Sequence, residues 1–411
     1  MKLGKQSRRW MSGAVASALL LVGAGAVQAA PAAEKAPAPV SAKAPRISGA
    51  TGVFARAQAL LQKGDKAGAL RVFESALSVE RTNARLWQVI GDLRWGLDRI
   101  SPAVDAWTQA AALSPWDDVL AERVARGSVR LGNFQRAAEA EARVVELIRQ
   151  QLEDGKATHR AGLGSEPAVG LSDSYVQHLG MLSELHVLSG DFTAAETVAR
   201  TLIRFSPERI EGRLALAYVH LHGAELDEAA DLYEEVLRVV PENGTALNNL
   251  GNIQYMRRDF NAAADLFERI LEADGTSKYS HSIALANLGE LLQIQSAFKD
   301  AGALYDQAIE VQPEGAWGYM GKAALLDVTG RYDDAVDEMI NGWERDQNRL
   351  TRLNMHFYME EWAWQQGALI AEVEGDSALA EKLWRKILAG DVEMLKKPAA
   401  WHLRALEVST R

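Results

Sequence analysis

The sequence predicts an all-α chain made of stacked helical hairpins, and three observations predict it. In residues 244–275, Leu247, Leu250, Gly251 and Gln254 fall at i, i+3, i+4 and i+7, one face of a helix, and Ala263, Leu266, Phe267 and Ile270 repeat that spacing. Between the two runs, Arg258-Asp259-Phe260-Asn261 breaks the pattern, and Asp259 has the chemistry of an N-cap for the second helix. The same pair of runs then recurs along the chain with a period of 34 residues. Gly251 and Ala263 are small where a core helix usually carries bulk, which suits antiparallel helices that cross closely. A hairpin this short cannot bury its apolar face alone, so its copies must lean on one another.

The bulk numbers agree with a packed chain. At 411 residues and 48% hydrophobic content a large core can be built, and 24% charged residues is ordinary for a globular protein. There is no cysteine, which excludes disulfides, thiolate metal sites, cysteine nucleophiles and haem attachment through cysteine.

Taken in order, the chain opens with a basic start, Lys2, Lys5, Arg8 and Arg9, followed by an apolar run over residues 11–27. Val27-Gln28-Ala29 then offers small residues where a signal peptidase reads, so cleavage is expected after Ala29. The run is shorter than the roughly 20 residues that span a bilayer. Ser7-Arg8-Arg9 resembles the start of a twin-arginine signal while Trp10-Met11-Ser12 departs from it, so both export routes stay open. Loss of residues 1–29 removes four basic and no acidic residue and moves the formal charge from −10 to −14. Phosphate backbones demand Lys and Arg, so nucleic acid is not expected as a partner. Residues 30–49, rich in Ala and Pro, read as a disordered linker.

The copies begin at about residue 50. In residues 84–117 the first helix carries Trp87, Ile90 and Gly91, and the second carries Ala103, Trp107 and Ala110 before Pro115. Trp-x-x-aliphatic-Gly, then Ala, an aromatic, Ala and a closing Pro at these intervals, resembles the tetratricopeptide repeat, and the period matches. In that register the other copies are 50–83, 118–151, 176–209, 210–243, 244–275, 282–315, 316–349 and 361–394. Two depart from the pattern: Arg81 stands where Pro is usual, and Glu141 sits at the aromatic place. Gly64-Asp65, Gly132-Asn133, Gly190-Asp191 and Gly375-Asp376 all fall at the inter-helix turn, where Gly accepts the left-handed conformation and Asp or Asn caps the second helix. The resemblance implies a right-handed α-solenoid of about nine hairpins.

Three interruptions are expected. Residues 152–175, rich in Gly, Ala and Ser, read as an insertion loop, a hinge or a lobe. Residues 278–281 add one helical turn to the next helix, and residues 350–360 extend the first helix of the last copy, which runs to about Val373. Trp401, Ala405 and Val408 mark a closing helix that hides the last apolar face. The domain plan is a signal peptide at 1–29, a linker at 30–49, three repeats at 50–151, the insertion at 152–175, about six repeats at 176–394 and a capping helix at 395–411.

No P-loop, GxSxG elbow, His-Glu-x-x-His or Gly-rich dinucleotide turn is present. His186 and His220 hold the same place in adjacent copies, with His178 and His222 nearby; His220 and His222 point about 200° apart on a helix and cannot share a metal undistorted. They read as packed or surface residues. Glu234-Glu235 and Asp333-Asp334 read as solvated. Of the eleven tryptophans, Trp87, Trp107 and Trp384 fall in core slots, leaving Trp116, Trp317, Trp343, Trp362 and Trp364 as exposed anchors for a peptide or a sugar ring.

The resemblance also implies that first helices line an inner, concave face that carries ligand contacts. Here that face gives Tyr218, then Asn248, Asn249, Asn252 and Tyr255, then Asn287 and Glu290, then Trp317 and Met320. Asn249-Leu250-Gly251 and Asn287-Leu288-Gly289 place Asn alike in consecutive copies, resembling the Asn ladder of the O-linked N-acetylglucosamine transferase superhelix. An Asn side chain offers the donor and acceptor that a peptide backbone needs. The basic set that clamps a C-terminal carboxylate is missing. The expectation is therefore an exported, non-enzymatic scaffold, without cofactor or metal, that binds a protein or peptide partner in bacterial envelope assembly or secretion. A glycan-associated scaffold for polysaccharide export or cell-wall machinery is the alternative, and a metal-dependent enzyme a lower one.

Overall fold

The computed structural model describes residues 50–160, 169–345 and 360–409, which hold nineteen helices and no strand. The expected signal peptide and linker lie outside them, as do residues 346–359. The described chain divides into two units, with the boundary between Ser189 and Gly190.

The N-terminal unit contains α1 (Ala50–Gln62), α2 (Lys66–Leu77), α3 (Ala84–Trp95), α4 (Ile100–Leu113), α5 (Asp118–Arg130), α6 (Phe134–Arg160) and α7 (Val169–Leu188). Each helix packs on the next in sequence. The C-terminal unit contains α8 (Phe192–Phe205), α9 (Glu211–His222), α10 (Leu226–Val239), α11 (Gly244–Met256), α12 (Phe260–Glu272), α13 (Lys278–Ile294), α14 (Phe298–Val311), α15 (Trp317–Val328) and α16 (Tyr332–Arg345). It ends with α17 (Glu360–Glu374), α18 (Ser377–Ala389) and α19 (Glu393–Ser409).

The hairpin turns share one backbone geometry. A residue with positive φ recurs at Gly64, Asp98 and Gly132 in the first unit, and at Gly190, Ala224, Arg258, Ser296, Gly330 and Gly375 in the second. The residue after it donates its N–H back five residues, as in Asp65 to the Leu60 carbonyl and Asp259 to the Gln254 carbonyl, both 2.9 Å. Asp65, Asn133, Asp259 and Asp376 then cap the second helix through a carboxylate or amide oxygen. Four turns place a non-glycine residue in the left-handed region, so the repeat imposes the conformation even where the side chain disfavours it.

The second helix of every copy carries one fully or nearly buried residue in the same slot: Phe73, Trp107, Glu141, Ala199, Tyr233, Phe267, Tyr305, Met339 and Trp384. At Trp107, Phe267 and Tyr305 a glycine of a first helix makes room for the ring, whereas Ala57, Ala217 and Ala368 hold that place in the copies of Phe73, Tyr233 and Trp384. A Cβ on Gly251 would lie 2.5 Å from the Phe267 ring, and one on Gly91 would lie 2.3 Å from Trp107. Closing prolines also serve the next copy. The carbonyls of Pro115, Pro241 and Pro313 accept from Arg143, Arg269 and Arg345, at 2.7, 3.0 and 2.9 Å. Where Arg81 replaces the proline, its carbonyl instead accepts from Trp87 Nε1 at 2.8 Å.

Two boundaries differ from the sequence reading. Residues 152–175 are not a loop throughout: α6 continues to Arg160 and α7 starts at Val169, with 161–168 outside the described residues. The small residues suggested a loop, but Leu152 and Tyr175 are buried, and α6 packs on α7 along this stretch. The unit boundary accordingly falls after α7 rather than before it. The closing helix starts at Glu393, before Pro398, which lies inside it, because Leu395 and Ala399 are both fully buried in the last core cluster. The extra turn at residues 278–281 does lengthen α13, which begins at Lys278 behind a Ser277 cap.

Candidate binding groove

The candidate residues all lie in the C-terminal unit, on α9, α11, α13 and α15. These are the first helices of four successive copies, and each touches the next. They form a continuous wall, but its residues do not share one fate.

Tyr218 is buried, its ring edge-on to His222 at 4.2 Å, and belongs to the core. Met320 is 2% exposed and packs where a Cβ on Gly342 would collide with it, so it is core as well. Asn249 is buried and donates from Nδ2 to the Tyr233 hydroxyl at 2.9 Å. The two Asn of the expected ladder are thus not alike. Asn287 donates to Asn248 Oδ1 at 3.0 Å, Asn248 donates to Asn249 Oδ1 at 3.1 Å, and Asn249 donates to Tyr233. This relay of amides ties α13 to α11 and α11 to α10, and its inner end is closed to a ligand. Asn248, Asn252 and Asn287 remain half-buried at the surface.

Tyr255 is buried and donates its hydroxyl to Glu290 Oε1 at 2.5 Å, a second tie between α11 and α13. Burial pushes the Glu290 carboxyl up to about 8, with the Tyr255 hydrogen bond opposing that rise. Glu290 keeps a partly exposed edge, with Asn287 and Trp317, on a pocket completed by Gln293, Trp362 and Gln366.

Trp362 and Gln366 come from α17 and fall outside the sequence-derived site. Trp362 was expected among exposed anchors, yet it is 4% exposed, and Trp343 is 6% exposed. Both are buried because α16 and α17 close the last core cluster. Trp116 alone of that group is largely exposed, with Arg143 over its ring at 5.5 Å. The sequence held one signal for the α17 residues: Gln365-Gln366 interrupts the apolar middle of the helix, and both are buried.

The histidines are committed elsewhere. His178 Nδ1 lies 2.6 Å from Glu141 Oε1, and His220 Nδ1 lies 2.5 Å from Glu225 Oε2. Among the described residues no three His, Asp or Glu side chains are grouped as a metal would need. No described helix is long and apolar enough to cross a membrane.

These features define a repeat scaffold: helical hairpins with one turn geometry, one buried slot and a wall of first helices. The sequence model of the tetratricopeptide repeat matches residues 181–238 and 214–278, so this stretch is made of tetratricopeptide repeats, and the flanking hairpins carry the same turn and slot. It is similar to the DnaJ homolog subfamily C member 7 homolog of Schizosaccharomyces pombe, 21% identical over 235 residues. That match covers 55% of this chain and only 44% of the relative. Among solved structures it is similar to a tetratricopeptide repeat protein from Parabacteroides merdae, with 12% identity, 71% and 98% of the two chains covered, and a TM-score of 0.44. PilF of Pseudomonas aeruginosa gives 17%, 56% and 99%, and 0.39; yeast Tom70 gives 14%, 88% and 96%, and 0.38. These structural likenesses are loose, and the family assignment does not rest on them.

Proposed function

We propose that the protein is an exported, non-enzymatic scaffold of the bacterial envelope that holds an extended peptide or partner subunit along α11, α13 and α15. One observation carries this reading. Asn252, Asn287, Glu290 and Trp317 present hydrogen-bonding groups and an aromatic surface in a row, on first helices that touch across three consecutive copies. An extended backbone needs a donor and an acceptor at regular intervals, and the side-chain amides offer both. Export is supported by the basic start, the apolar run and the small residues before Ala30. The glycan alternative keeps Trp116, the one largely exposed tryptophan among the described residues.

The test uses Asn252→Ala with Trp317→Ala, because Asn249 holds α10 to α11 and its loss would be structural. The partner captured from a periplasmic extract by the wild type is purified, and its affinity for both proteins is measured. We expect at least a tenfold weakening with helical circular dichroism unchanged, since truncating a central aromatic contact costs about 2 kcal/mol. Equal affinity sinks the groove assignment.

A further inference from the structure

The pocket between α13, α14, α15 and α17 has a particular chemistry. Its walls are aromatic, Tyr305, Trp317 and Trp362, and its polar rim is Asn287, Glu290 and Gln366. Four neighbouring donors are already engaged. The Tyr255 hydroxyl donates to Glu290, the Tyr305 hydroxyl to Gln293 Oε1 at 3.0 Å, Asn287 Nδ2 to Asn248, and Gln366 Nε2 to the Met320 carbonyl at 3.2 Å. The acceptors left open there are the Gln366 amide oxygen and, once ionised, the Glu290 carboxylate. Gln366 is 5% exposed, and its Oε1 is buried with no hydrogen-bond partner among the described residues. A buried amide oxygen normally finds a donor, so this one asks for a donor from outside the chain.

Glu290 has no cation beside it among the described residues. Lys322, the one basic residue of α15, pairs with Asp306 at 2.8 Å and Glu338 at 3.4 Å instead. The titratable groups turned toward Glu290 are the Tyr255 hydroxyl from α11 and the Tyr305 ring from α14; α15 and α17 bring uncharged Trp317, Trp362 and Gln366. The enclosed space is small, about 20 Å³, which is what one water-sized group requires. A sugar ring or a guanidinium is too large for it.

We infer that the pocket receives a primary ammonium, the end of a lysine side chain of the bound partner, whose N–H donors meet Glu290, Gln366 Oε1 and Asn287. An ammonium is water-sized, carries three donors and no acceptor, and is attracted by aromatic walls. This rests on the partner-binding reading above and adds the group that the partner must supply.

The test is titration of the full chain with n-butylammonium and, separately, n-butanol, following indole N–H signals by NMR, with Trp317→Phe providing the assignment. We expect a saturable shift of the Trp317 signal with butylammonium only. Affinity should rise about tenfold between pH 7 and pH 9, because Glu290, pushed up to about 8, ionises across that interval while an alkylammonium stays charged. Glu290→Gln should abolish the rise, and Gln366→Leu should weaken binding at both pH values, with helical circular dichroism unchanged. His402 also titrates near this range, but equally in Glu290→Gln, so the difference between the two proteins isolates Glu290. Nα-acetyl-lysine methylamide should bind tighter than glycine methylamide. The reverse order would overturn the lysine assignment in favour of a chain N-terminus. Equal shifts from butanol and butylammonium, or an unchanged pH profile in Glu290→Gln, would overturn the inference. The probes need no partner, so ammonium binding with unaltered partner affinity in Asn252→Ala, Trp317→Ala would reject the groove and leave the pocket standing.

Discussion

The same slot of the repeat is filled in opposite ways near the two ends of the described chain. In the N-terminal unit it holds Glu141, 1% exposed; in the C-terminal unit it holds Trp384, 0% exposed. Around Glu141 the missing ring is replaced by charge. His178, from the next helix, sets Nδ1 2.6 Å from Glu141 Oε1. Burial alone would lower the His178 imidazole, but Glu141 outweighs it and holds the group above its ordinary range, while burial also pushes Glu141 up. Around Trp384 the ring is present and the charge is layered on top. His402 stacks on the indole at 4.4 Å, with Nε2 3.0 Å from Asp327 and Nδ1 2.9 Å from Glu372. Trp384 Nε1 donates to Glu372 at 2.5 Å, and Gln365 Nε2 donates to Asp327 at 2.5 Å. Burial would lower His402, but the two carboxylates prevail and raise it to about 9. The repeat therefore fixes a position to be buried, not a chemistry. A polar occupant is tolerated where a neighbouring helix supplies its partner.

The largest effect should come from His402→Ala. It leaves the Asp327 carboxylate buried and uncompensated, and breaking such a pair costs about 3–5 kcal/mol. We expect hydrogen exchange over residues 360–409 to accelerate and urea unfolding of the C-terminal unit to shift to lower concentration. If His402→Ala is neutral, the buried charge network does not hold α19 on α15 and α17.

At the other end, His178→Ala should cost about 3 kcal/mol, for it strands a buried Glu141. The sharper comparison is the double change Glu141→Phe with His178→Leu, which restores the family's ring. It should match the wild type or exceed it by about 1–4 kcal/mol in urea unfolding. A large loss in the double variant would mean that the pair has a geometry no ring can replace.

A third expected difference is in pH dependence. His402 is raised in the folded state, so its stabilisation is complete below its unfolded value near 6.5 and is lost as pH rises through about 9. Denaturation midpoints of the C-terminal unit should fall between pH 7 and pH 9.5, and His402→Gln should flatten that fall.

The smallest effect concerns the turns. Ala224 has φ +61 where Gly64 and Gly132 supply the left-handed residue in the other unit. Ala224→Gly should stabilise by about 0.5–1 kcal/mol, read from the unfolding midpoint, because relief of the strained conformation exceeds the added entropy of the unfolded chain.

Much of this architecture was legible in residues alone, and some of the site was not. Asp259 as a cap, Gly251 opposite Phe267, and the extra turn before α13 are consequences of spacing within one hairpin, which a linear sequence displays directly. Asn249 and Asn287 look identical in the chain, each followed by Leu-Gly. They part only because Tyr233, unlike Phe267, carries a hydroxyl that draws Asn249 into the core.

By itself the sequence determined the period, the hairpin turns, the number of copies and the position of the slot, because each is settled by residues within about one repeat of one another and by backbone rules common to all chains. Tertiary structure alone decided which amides stay at the surface, that Gln366 reaches the pocket beside Glu290, and that His402 closes on Asp327, 75 positions away. Those outcomes depend on which polar groups burial deprives of water and which distant partner compensates them, and no local periodicity records that.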